Sequence, residues 1–438
     1  MKKQSKFASR TTTRNASIGE RRRDYKVMDL FAGCGGMTLG FCWDSLIAGT
    51  DANPILPTST SAGYSPFRSV FANDFDEAAL RTYKANFDRD GAHSDGRPIE
   101  DLLTDTATLP KCDVLVGGPP CQGFSLLNKW RVGDYRRSLW WHFLEAADRS
   151  DARVVVMENV PQLLGGPEFQ AIWTRLRDLG YSHSMAHVVC AANHGVPQVR
   201  NRAIIMASRT GPIALPRPTH LSPKRLEIAR AGGVAAGLLP WKTVREAFAG
   251  LGRPVGREVR VDGSDTESLH FGRNPTAESI LRYKAVPPGG NRFDLLKNAP
   301  KLTPACWVRK KSGGTDLFGR LWLDRPSVTI RTEFFKPEKG RYLHPTANRP
   351  ITHREAARIQ SFPDGFSFTG SKVEIARQIG NAVPPLLAHA IALAVRESLD
   401  GITTAEDMSK CRESYRRLLG EHVDAISVNS REAVRAAS

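Results

Sequence analysis

Cys121 stands where the chain could present a nucleophile. It follows a short apolar run, two glycines and two prolines in the sequence CDVLVGGPPCQGFS, residues 112–125. The glycines allow a tight turn, and the prolines stiffen it. A thiolate held rigidly at the carboxyl end of a strand can attack an electrophilic carbon and form a covalent intermediate. We therefore interpret Cys121 as a catalytic residue rather than as a packed core cysteine.

A carboxylate and two guanidinium groups could act beside this thiol. Glu158 follows the apolar run RVVVM, and Arg200 and Arg202 occupy alternate positions in QVRNR. Alternate residues of a strand face the same side, so both arginines should point together. A carboxylate there could manage a proton on a polar substrate. The alternative for Glu158 is a structural salt bridge at the end of the strand, and the arginines, as a bare charge pair, could be solvated.

A glycine-rich turn marks a second candidate site. The sequence DLFAGCGGMTLGF, residues 29–41, lies between a predicted strand and a predicted helix. Gly33, Gly35 and Gly36 allow the backbone to turn and to approach a ligand closely. Asp74 ends the next apolar run and could accept hydrogen bonds from ribose, or cap the following helix. NAD stays open as a ligand at this point, although the spacing differs from G-x-G-x-x-G.

Alternating strand and helix signals between residues 25 and 207 predict the scaffold for these groups. Runs such as YKVMDLF, CDVLVGG and RVVVMEN are each followed by turn residues or a helix-like segment. This alternation predicts a parallel α/β sheet covered by helices, with ligands at the carboxyl ends of the strands. After residue 349, Thr352 and Glu355 have capping-box spacing, and GNAVPP precedes an apolar helix.

The composition indicates the class of partner. The chain has 438 residues, 41% of them hydrophobic, and a net charge of +17. This basic excess favours nucleic acid or an anionic membrane as partner, and no run of about 18 apolar residues suggests a membrane span. Seven scattered cysteines without a C-x-x-C pair predict a reduced protein with neither a disulfide framework nor a structural zinc site.

Six sequence blocks allow a family to be suggested. FAGCGG, GGPPCQGFS, ENV, QVRNR, REAARIQSFPDGF and GNAVPP occur in this order. Together they resemble the cytosine-5 DNA methyltransferases, especially the bacterial restriction–modification and Dcm-like members, over residues 27 to about 395 apart from a variable region. The resemblance implies a Rossmann-like S-adenosylmethionine-dependent methyltransferase sheet with a second, smaller and irregular target-recognition domain.

The resemblance also assigns roles to matching residues. Cys121 would add to C6 of a flipped-out cytosine, and Glu158 would hydrogen-bond N3 and the amino group of that base. Arg200 and Arg202 would lie near the O2 atom of the base and the catalytic carboxylate, and Asn159 would orient the nucleophile loop. The residues implicated in binding S-adenosylmethionine are Phe31, Gly33, Gly36, Asp74, Phe75, Asp101, Pro120 and Asn381.

Two of these cofactor assignments have further consequences. Asp101 would reach the adenine amino group, but Asp105 competes for that role because the spacing before GGPPC varies. Asn381 is distant in sequence, so GNAVPP must fold back beside FAGCGG for it to contribute.

The resemblance implies DNA contacts in the segment after the nucleophile, which in the family closes over the flipped base, and in QVRNR, in a basic loop and in PSVTIRT. They are Gln122, Ser125, Gln198, Arg309, Lys310, Lys311, Thr329 and Ile330. Gln198 would also support the loop around the arginines. Basic loop residues can contact phosphates and guanine edges, or can simply be solvated.

We predict a flexible basic arm (1–24), a catalytic domain (25–207), a target-recognition domain (208–348), a return segment (349–398) and a tail (399–438). The expected protein is a monomeric, cytoplasmic bacterial enzyme that acts on double-stranded DNA, with no membrane and no metal. Three alternatives stay open. A tRNA cytosine-5 methyltransferase usually has a Cys-Phe-Thr block, which we do not find. A non-catalytic nucleic-acid-binding protein would not need the intact catalytic residues, and an NAD-dependent oxidoreductase leaves GGPPCQGFS unexplained.

Overall fold

A seven-stranded sheet forms the centre of the molecule. The computed structural model describes residues 24–43, 53, 56, 66–105, 109–120, 139–254, 269–309 and 312–419. In chain order the strands are β1 (Tyr25–Leu30), β2 (Phe67–Asn73), β3 (Ser94–Asp95), β4 (Val114–Gly117), β5 (Val154–Asn159), β6 (His183–Cys190) and β7 (Asn201–Ser208). In space their order is β3-β2-β1-β4-β5-β7-β6.

The first five strands are parallel and end at one edge. Leu30 of β1 lies beside Gly117 of β4, which lies beside Met157 of β5. The residues that follow, including Glu158, therefore emerge together at the carboxyl edge, as the sequence predicts.

One strand, β7, differs from the expected all-parallel sheet. Strand β7 is antiparallel to both β5 and β6. Only residues 191–200 join β6 to β7, too short a connection for the helical crossover that a parallel pair needs. The antiparallel direction brings the start of β7 against the end of β5, where Asn159 faces Ala203.

Helices cover both faces of the sheet. They are α1 (Gly36–Phe41), α2 (Glu77–Phe87), α3 (Ile99–Thr104), α4 (Leu139–Arg149) and α5 (Pro167–Asp178). Side chains of successive strand residues enter opposite cores, as the two-residue period of a strand requires. Val114 and Val116 of β4 belong to one apolar cluster, and Leu115 belongs to the other.

The region expected to be irregular contains short elements linked by loops. They are β8 (His220–Leu221), α6 (Pro223–Ala231), β9 (Leu239–Pro240), α7 (Val244–Phe248), α8 (Ala277–Ala285), α9 (Arg292–Asn298) and α10 (Ala305–Arg309). Buried guanidinium groups satisfy many loop carbonyls. Arg320, for example, donates to the carbonyl oxygens of Tyr283, Val286, His344 and Ala347. Side-chain hydrogen bonds thus satisfy backbone acceptors that a strand ladder would otherwise satisfy.

The final part of the chain returns to the sheet. It contains α11 (His353–Ile359), α12 (Lys372–Asn381), α13 (Pro385–Leu399) and α14 (Ala405–Leu419). The predicted capping box is confirmed: the Thr352 hydroxyl accepts from the Glu355 N–H, and the Glu355 carboxylate accepts from the Thr352 N–H. The predicted return beside FAGCGG is confirmed as well, because a Cβ at Gly36 would lie 2.4 Å from the Val383 carbonyl oxygen.

Helices α12 and α13 form the one stretch of the described chain, residues 372–399, that is long and apolar enough to span a membrane by length and composition. Most of that stretch is buried inside the protein, where α13 packs against α1 and the sheet. Its apolar character is therefore accounted for by the core.

The variable region and the return segment share one apolar cluster. Leu321, Ile330 and Phe334 pack in the same cluster as Phe362 and Ile375. The expected boundary between residues 348 and 349 is therefore a point of continuous packing. The tail also adds to the core, because the buried Tyr415 hydroxyl of α14 donates to the Pro216 carbonyl oxygen at 2.6 Å.

The contact between α1 and α13 generates a stability prediction. A Cβ added at Gly40 would lie 2.4 Å from the Ala388 Cβ and 2.6 Å from the His389 backbone nitrogen. Gly-to-Ala normally stabilises a helix by about 1 kcal/mol. Here the crowding should reverse the sign, and Gly40→Ala should lower the free energy of unfolding by about 1–3 kcal/mol in urea denaturation.

Gly211→Ala is the matched control, because a Cβ at Gly211 has no neighbouring atom within 4 Å. A Gly40→Ala protein as stable as the wild type would show that α1 and α13 do not approach this closely.

Candidate active site

A cavity of about 530 Å³ opens at the carboxyl edge of the sheet. Its walls come from the chain segments that follow β1, β2, β4 and β5, from the start of β7, and from the end of α12. Of the predicted site residues, it collects Phe31, Gly33, Gly36, Asp74, Phe75, Pro120, Glu158, Asn159, Arg200, Arg202 and Asn381. The fold thus brings together groups that lie as much as 350 residues apart in the chain.

Glu158 forms an ion pair in this cavity. Its Oε1 atom lies 2.7 Å from Nε of Arg202, and both side chains are largely buried. The pairing follows from the sheet, because β5 ends where the antiparallel β7 begins. Arg202 also donates to the Asn201 carbonyl oxygen, which fixes the guanidinium plane. The carboxylate is thereby held in one orientation, with its second oxygen beside Gly118.

The turn after β4 leads directly into the cavity. A Cβ at Gly117 would lie 2.2 Å from the Leu30 carbonyl oxygen, so only glycine fits between β1 and the turn. The Asn159 side-chain amide donates to the Pro119 carbonyl oxygen at 3.1 Å and accepts from the Val160 N–H. Asn159 therefore ties the Gly-Gly-Pro-Pro turn to the end of β5.

Pro120 lines the cavity, and the predicted nucleophile is the next residue in the chain. Five predicted site residues lie outside the described residues: Cys121, Gln122, Ser125, Lys310 and Lys311.

A competing thiol in the cavity is unsuited to nucleophilic attack. Cys34 of FAGCGG is buried, and burial raises the pKa of its thiol to about 12. Its sulfur donates weakly to the Gln378 carbonyl oxygen. Since the thiolate is the reactive form, Cys34 would be inert near neutral pH.

Asp74 follows β2, and its side chain shapes the turn between β1 and α1. Its carboxylate accepts from the Gly33 N–H at 2.7 Å and from the Asp76 N–H at 2.8 Å. Burial raises the pKa of this carboxyl to about 6. The cap of helix α2 is Asp76 rather than Asp74, so the capping alternative does not apply to Asp74. Beside it, the Phe75 ring is 63% exposed, which leaves an aromatic face open to a ligand.

Asp29 is a site residue that the sequence reasoning missed. One of its oxygens accepts from the Thr38 N–H and hydroxyl, while Oδ1 is buried without a hydrogen-bond partner. Burial raises the pKa of this carboxyl to about 7. It lines the cavity, so its second oxygen is suited to a cationic or hydrogen-bond-donating ligand. The signal available was an acidic residue inside an otherwise apolar strand.

Gln198 and Arg200 bind the backbone of a distant segment. The Gln198 side-chain oxygen accepts from the Ile330 N–H at 2.8 Å, and the Arg200 guanidinium donates to the Ile330 carbonyl oxygen at 3.2 Å. Arg200 donates further to the carbonyl oxygens of Gly380 and Asn381. Gln198 is fully buried and Arg200 is 2% exposed, so both act inside the protein.

Gln360 completes this network and was also missed. Its side-chain oxygen accepts from the Gln198 amide at 2.7 Å, and its own amide donates to the carbonyl oxygens of Ile379 and Ala382. Arg200 and Gln360 thus hold the turn at 379–382, which lines the cavity, and Gln198 supports it through its hydrogen bond to Gln360. Gln360 is the glutamine of the sequence RIQ. It could have been recognised as a site residue only if its burial had been predicted.

Several predicted residues occupy positions that differ from those expected. Gln198 and Ile330 are fully buried and expose no side chain to DNA, because both pack where the two segments join. Thr329 is partly exposed, and its hydroxyl donates to the Val199 carbonyl oxygen. Arg200 contacts backbone carbonyls, whereas Arg202 contacts the carboxylate.

Two further predicted residues lie away from the cavity wall. Asp101 and its competitor Asp105 are exposed at the two ends of α3 and do not line the cavity. Arg309 is exposed at the end of α10. Conversely, Arg377 lines the cavity without having been predicted, and its guanidinium lies 2.7 Å from the Asp76 carboxylate.

Comparison with known proteins gives the family. The family model for C-5 cytosine-specific DNA methylases matches residues 25–397. The chain belongs to the C-5 cytosine-specific DNA methylase family. It is accordingly a DNA cytosine-5 methyltransferase, which confirms the family, fold and enzyme class predicted from the sequence blocks.

Relatives and solved structures agree with this membership. The chain is 30% identical to the type II methyltransferase M1.HphI of Haemophilus parahaemolyticus, over 84% of this chain and 86% of that protein. It is 31% identical to M.NgoFVII of Neisseria gonorrhoeae, over 82% and 83%. A prophage-encoded methyltransferase structure from E. coli superposes with a TM-score of 0.58 at 21% identity, over 86% of this chain and 99% of that one. Spodoptera frugiperda DNMT2 gives 0.51 at 15% identity, over 85% and 100%.

The buried network of this methyltransferase generates the second prediction. Gln360→Met preserves side-chain length but leaves the Gln198 amide and the Ile379 carbonyl oxygen without this partner. We expect a loss of about 1–3 kcal/mol for each buried group left unsatisfied, measured by urea denaturation. The DNA methylation rate should fall about 10- to 100-fold, because the turn at 379–382 shifts relative to Glu158.

Gln162→Met is the matched control, because Gln162 is exposed. Equal stability and equal methylation rates for the two variants would contradict a supporting role for Gln360.

Proposed function

We propose that this enzyme methylates C5 of cytosine within a specific double-stranded DNA sequence, with S-adenosylmethionine as methyl donor and Cys121 as nucleophile. The observation that supports this most strongly is the Glu158–Arg202 pair, fixed in the same cavity as the glycine-rich turn and Asp74. The cavity thus contains both a carboxylate that could transfer a proton and a glycine-rich turn that could bind a nucleotide. Pro120, the residue before Cys121, also lines this cavity.

The cavity fits the chemical character of S-adenosylmethionine. When bound, this cofactor supplies an electrophilic methyl group on a positively charged sulfonium. The orphaned Oδ1 atom of Asp29 and the carboxylate of Asp74 give the wall negative charge, which suits a ligand with a sulfonium and an ammonium group. The exposed Phe75 ring can stack on an aromatic base. We also assign cofactor binding to five other residues that line the cavity: Phe31, Gly33, Gly36, Pro120 and Asn381.

The chain's own residues would then activate the base. A cytosine must first leave the DNA stack, at a cost of a few kcal/mol. The Cys121 thiolate forms a bond to C6, and the displaced electron pair makes C5 nucleophilic while Glu158 keeps a proton at N3. Arg202 holds Glu158 in place for this transfer. After C5 is methylated, loss of its proton and cleavage of the C6–S bond restore the ring and the free thiol.

Recognition of DNA is assigned to the irregular region. Its exposed basic residues, Arg309 among them, suit phosphate contacts and groove insertion. Thr329 and Val199 are not fully buried, and the Thr329 hydroxyl donates to the Val199 carbonyl oxygen next to Arg200. We place the entry of a displaced nucleotide here. The relatives named above are type II methyltransferases, and this supports a place in a restriction–modification system. We further propose that the enzyme acts as a monomer in the bacterial cytoplasm.

Cofactor affinity should depend on pH through Asp29 and Asp74. Their pKa values are raised to about 7 and about 6, so both carboxyls gain protons as the pH falls through this range. Protonation removes the negative charge that attracts a cationic ligand. Isothermal titration with S-adenosylmethionine should therefore show an affinity that rises from pH 5.5 and levels off above about pH 7.5. The rise should be up to about tenfold per pH unit.

The free protein should show the opposite trend. The folded-state pKa of Asp29 lies above its ordinary value, so this group's stabilising contribution is complete at low pH and is lost as the pH rises through 7. Asp29→Asn should flatten both curves between pH 6 and 7.5. A cofactor affinity that is constant across the range would rule out these carboxyls as ligands.

The proposed substrate and nucleophile can be tested together. Purified enzyme should transfer labelled methyl groups from S-adenosylmethionine to double-stranded DNA, at C5 of cytosine by bisulfite sequencing. Cys121→Ala and Glu158→Gln should each lower this rate by several orders of magnitude, because each removes a group acting on the base. Transfer to tRNA but not to DNA would overturn the substrate, and a Cys121→Ala enzyme that still methylates would overturn the mechanism.

A further inference from the structure

Two walls of the catalytic cavity are joined by an ion pair that the proposed chemistry does not use. One wall is the segment 74–76 after β2, and the other is the end of α12. The Arg377 guanidinium of α12 lies 2.7 Å from Oδ2 of Asp76. The Arg377 side chain is 45% exposed and that of Asp76 is 26% exposed, and both residues line the cavity. The pair therefore borders both the solvent and the space assigned to the cofactor.

The two carboxylate oxygens of Asp76 have different partners. Oδ1 accepts from the N–H groups of Ala78 and Ala79, at 3.1 Å and 3.2 Å, and so caps helix α2. Oδ2 contacts Arg377. Asparagine is about as good an N-cap as aspartate, because its side-chain oxygen accepts the same hydrogen bonds. The substitution Asp76→Asn can therefore remove the ion pair and keep the cap.

The ion pair is connected to Asp74 by a hydrogen bond. The Asp76 N–H donates to Oδ1 of Asp74 at 2.8 Å, and the Gly33 N–H donates to Oδ2 of Asp74 at 2.7 Å. A displacement of Asp76 would thus move the Asp74 carboxylate relative to the glycine-rich turn. Arg377 holds Asp76 from α12, the helix that ends in the turn at 379–382. The pair therefore fixes the two walls of the cavity relative to each other.

The pair also affects the charge of Asp74. Charged or titratable side chains from four elements act on this carboxyl: Asp29 of β1, Cys34 of the glycine-rich turn, Asp76 at the start of α2 and Arg377 of α12. Burial is the main cause of the raised pKa of Asp74, about 6; the Asp76 charge raises this pKa and the Arg377 charge lowers it. Removal of the Arg377 charge should therefore raise the pKa of Asp74, and removal of the Asp76 charge should lower it.

We propose that Arg377 is a positioning residue for cofactor binding: through its ion pair with Asp76, it holds Asp74 and the adjoining Phe75 ring in the orientation that S-adenosylmethionine requires. The inference rests on the proposed function, which assigns Asp74 and Phe75 to this cofactor. Walls that are ordered before the ligand arrives lower the entropic cost of binding. Arg377 acts through another side chain, which distinguishes it from the groups that act on the cytosine.

The test measures S-adenosylmethionine binding by isothermal titration between pH 5.5 and 8.5. It compares the full-length wild type with Arg377→Gln, Asp76→Asn, the double variant and Arg377→Lys, which keeps the charge. Arg81→Gln is the matched control, because Arg81 pairs with Glu77 on the exposed face of α2 and does not line the cavity. Thermal unfolding is measured for every protein, so that binding is compared only between folded proteins.

The affinities at pH 8.5 test the positioning role. Arg377→Gln and Asp76→Asn should each bind about two- to fivefold more weakly than the wild type, the range that a partly exposed ion pair supports. The double variant should bind no more weakly than the single variants, because the two side chains act as one pair. Arg377→Lys should regain most of the affinity, and the control should bind like the wild type. Single variants that bind as tightly as the wild type, or losses that add in the double variant, would overturn the proposal.

The pH profiles test whether the pair acts through Asp74. The rise of affinity with pH should move to higher pH in Arg377→Gln and to lower pH in Asp76→Asn, because the pKa of Asp74 changes in opposite directions. Profiles that keep the wild-type midpoint in both variants would contradict action through Asp74 and overturn the proposal. A wild type that does not bind S-adenosylmethionine would overturn the cofactor assignment together with this inference, whereas full binding by Arg377→Gln would overturn this inference alone.

Discussion

The fold of the active site depends on a small set of buried polar side chains that bind backbone groups. Gln198 and Arg200 together satisfy both the N–H and the carbonyl of Ile330, and Arg200 and Gln360 satisfy carbonyls of the turn at 379–382. A buried polar group left unsatisfied costs about 1–3 kcal/mol, so these segments are stable only in one mutual arrangement. The backbone at Ile330 and the turn at 379–382, which lie 130 and 180 residues after Arg200 in the sequence, are thereby fixed to the segment just before β7.

This constraint explains how one cavity can serve both a base and a cofactor. The segment that contains Gln198 and Arg200 leads directly into β7, where Arg202 orients Glu158. The turn that they hold continues into α13, which packs on α1 directly after the glycine-rich loop. A displacement on the base side would therefore be transmitted to the cofactor side through hydrogen bonds rather than through soft apolar contacts. Such preorganisation suits a reaction whose two reactants must meet in a defined geometry.

Much of this arrangement could be predicted from sequence, and the remainder has a common physical reason. Local signals gave the strands that end at Leu30, Gly117 and Asn159, and the capping box at Thr352, because each depends on neighbouring residues. The order of the motifs indicated the family. The antiparallel direction of β7 was not predicted, since it depends on the length of a connection rather than on the strand itself.

The side chains that were missed or given other partners depend on long-range packing. Asp29, Gln360 and Arg200 acquire their roles from partners on other segments, and a single sequence contains no record of those contacts.

The most direct measurement of the central claim uses a duplex in which the target cytosine has fluorine at C5. Methylation then leaves no proton to lose, so the C6–S bond should persist. The account predicts a denaturation-resistant adduct that forms only with S-adenosylmethionine and maps to Cys121. An adduct at another residue, or none while ordinary duplex is methylated, would contradict it.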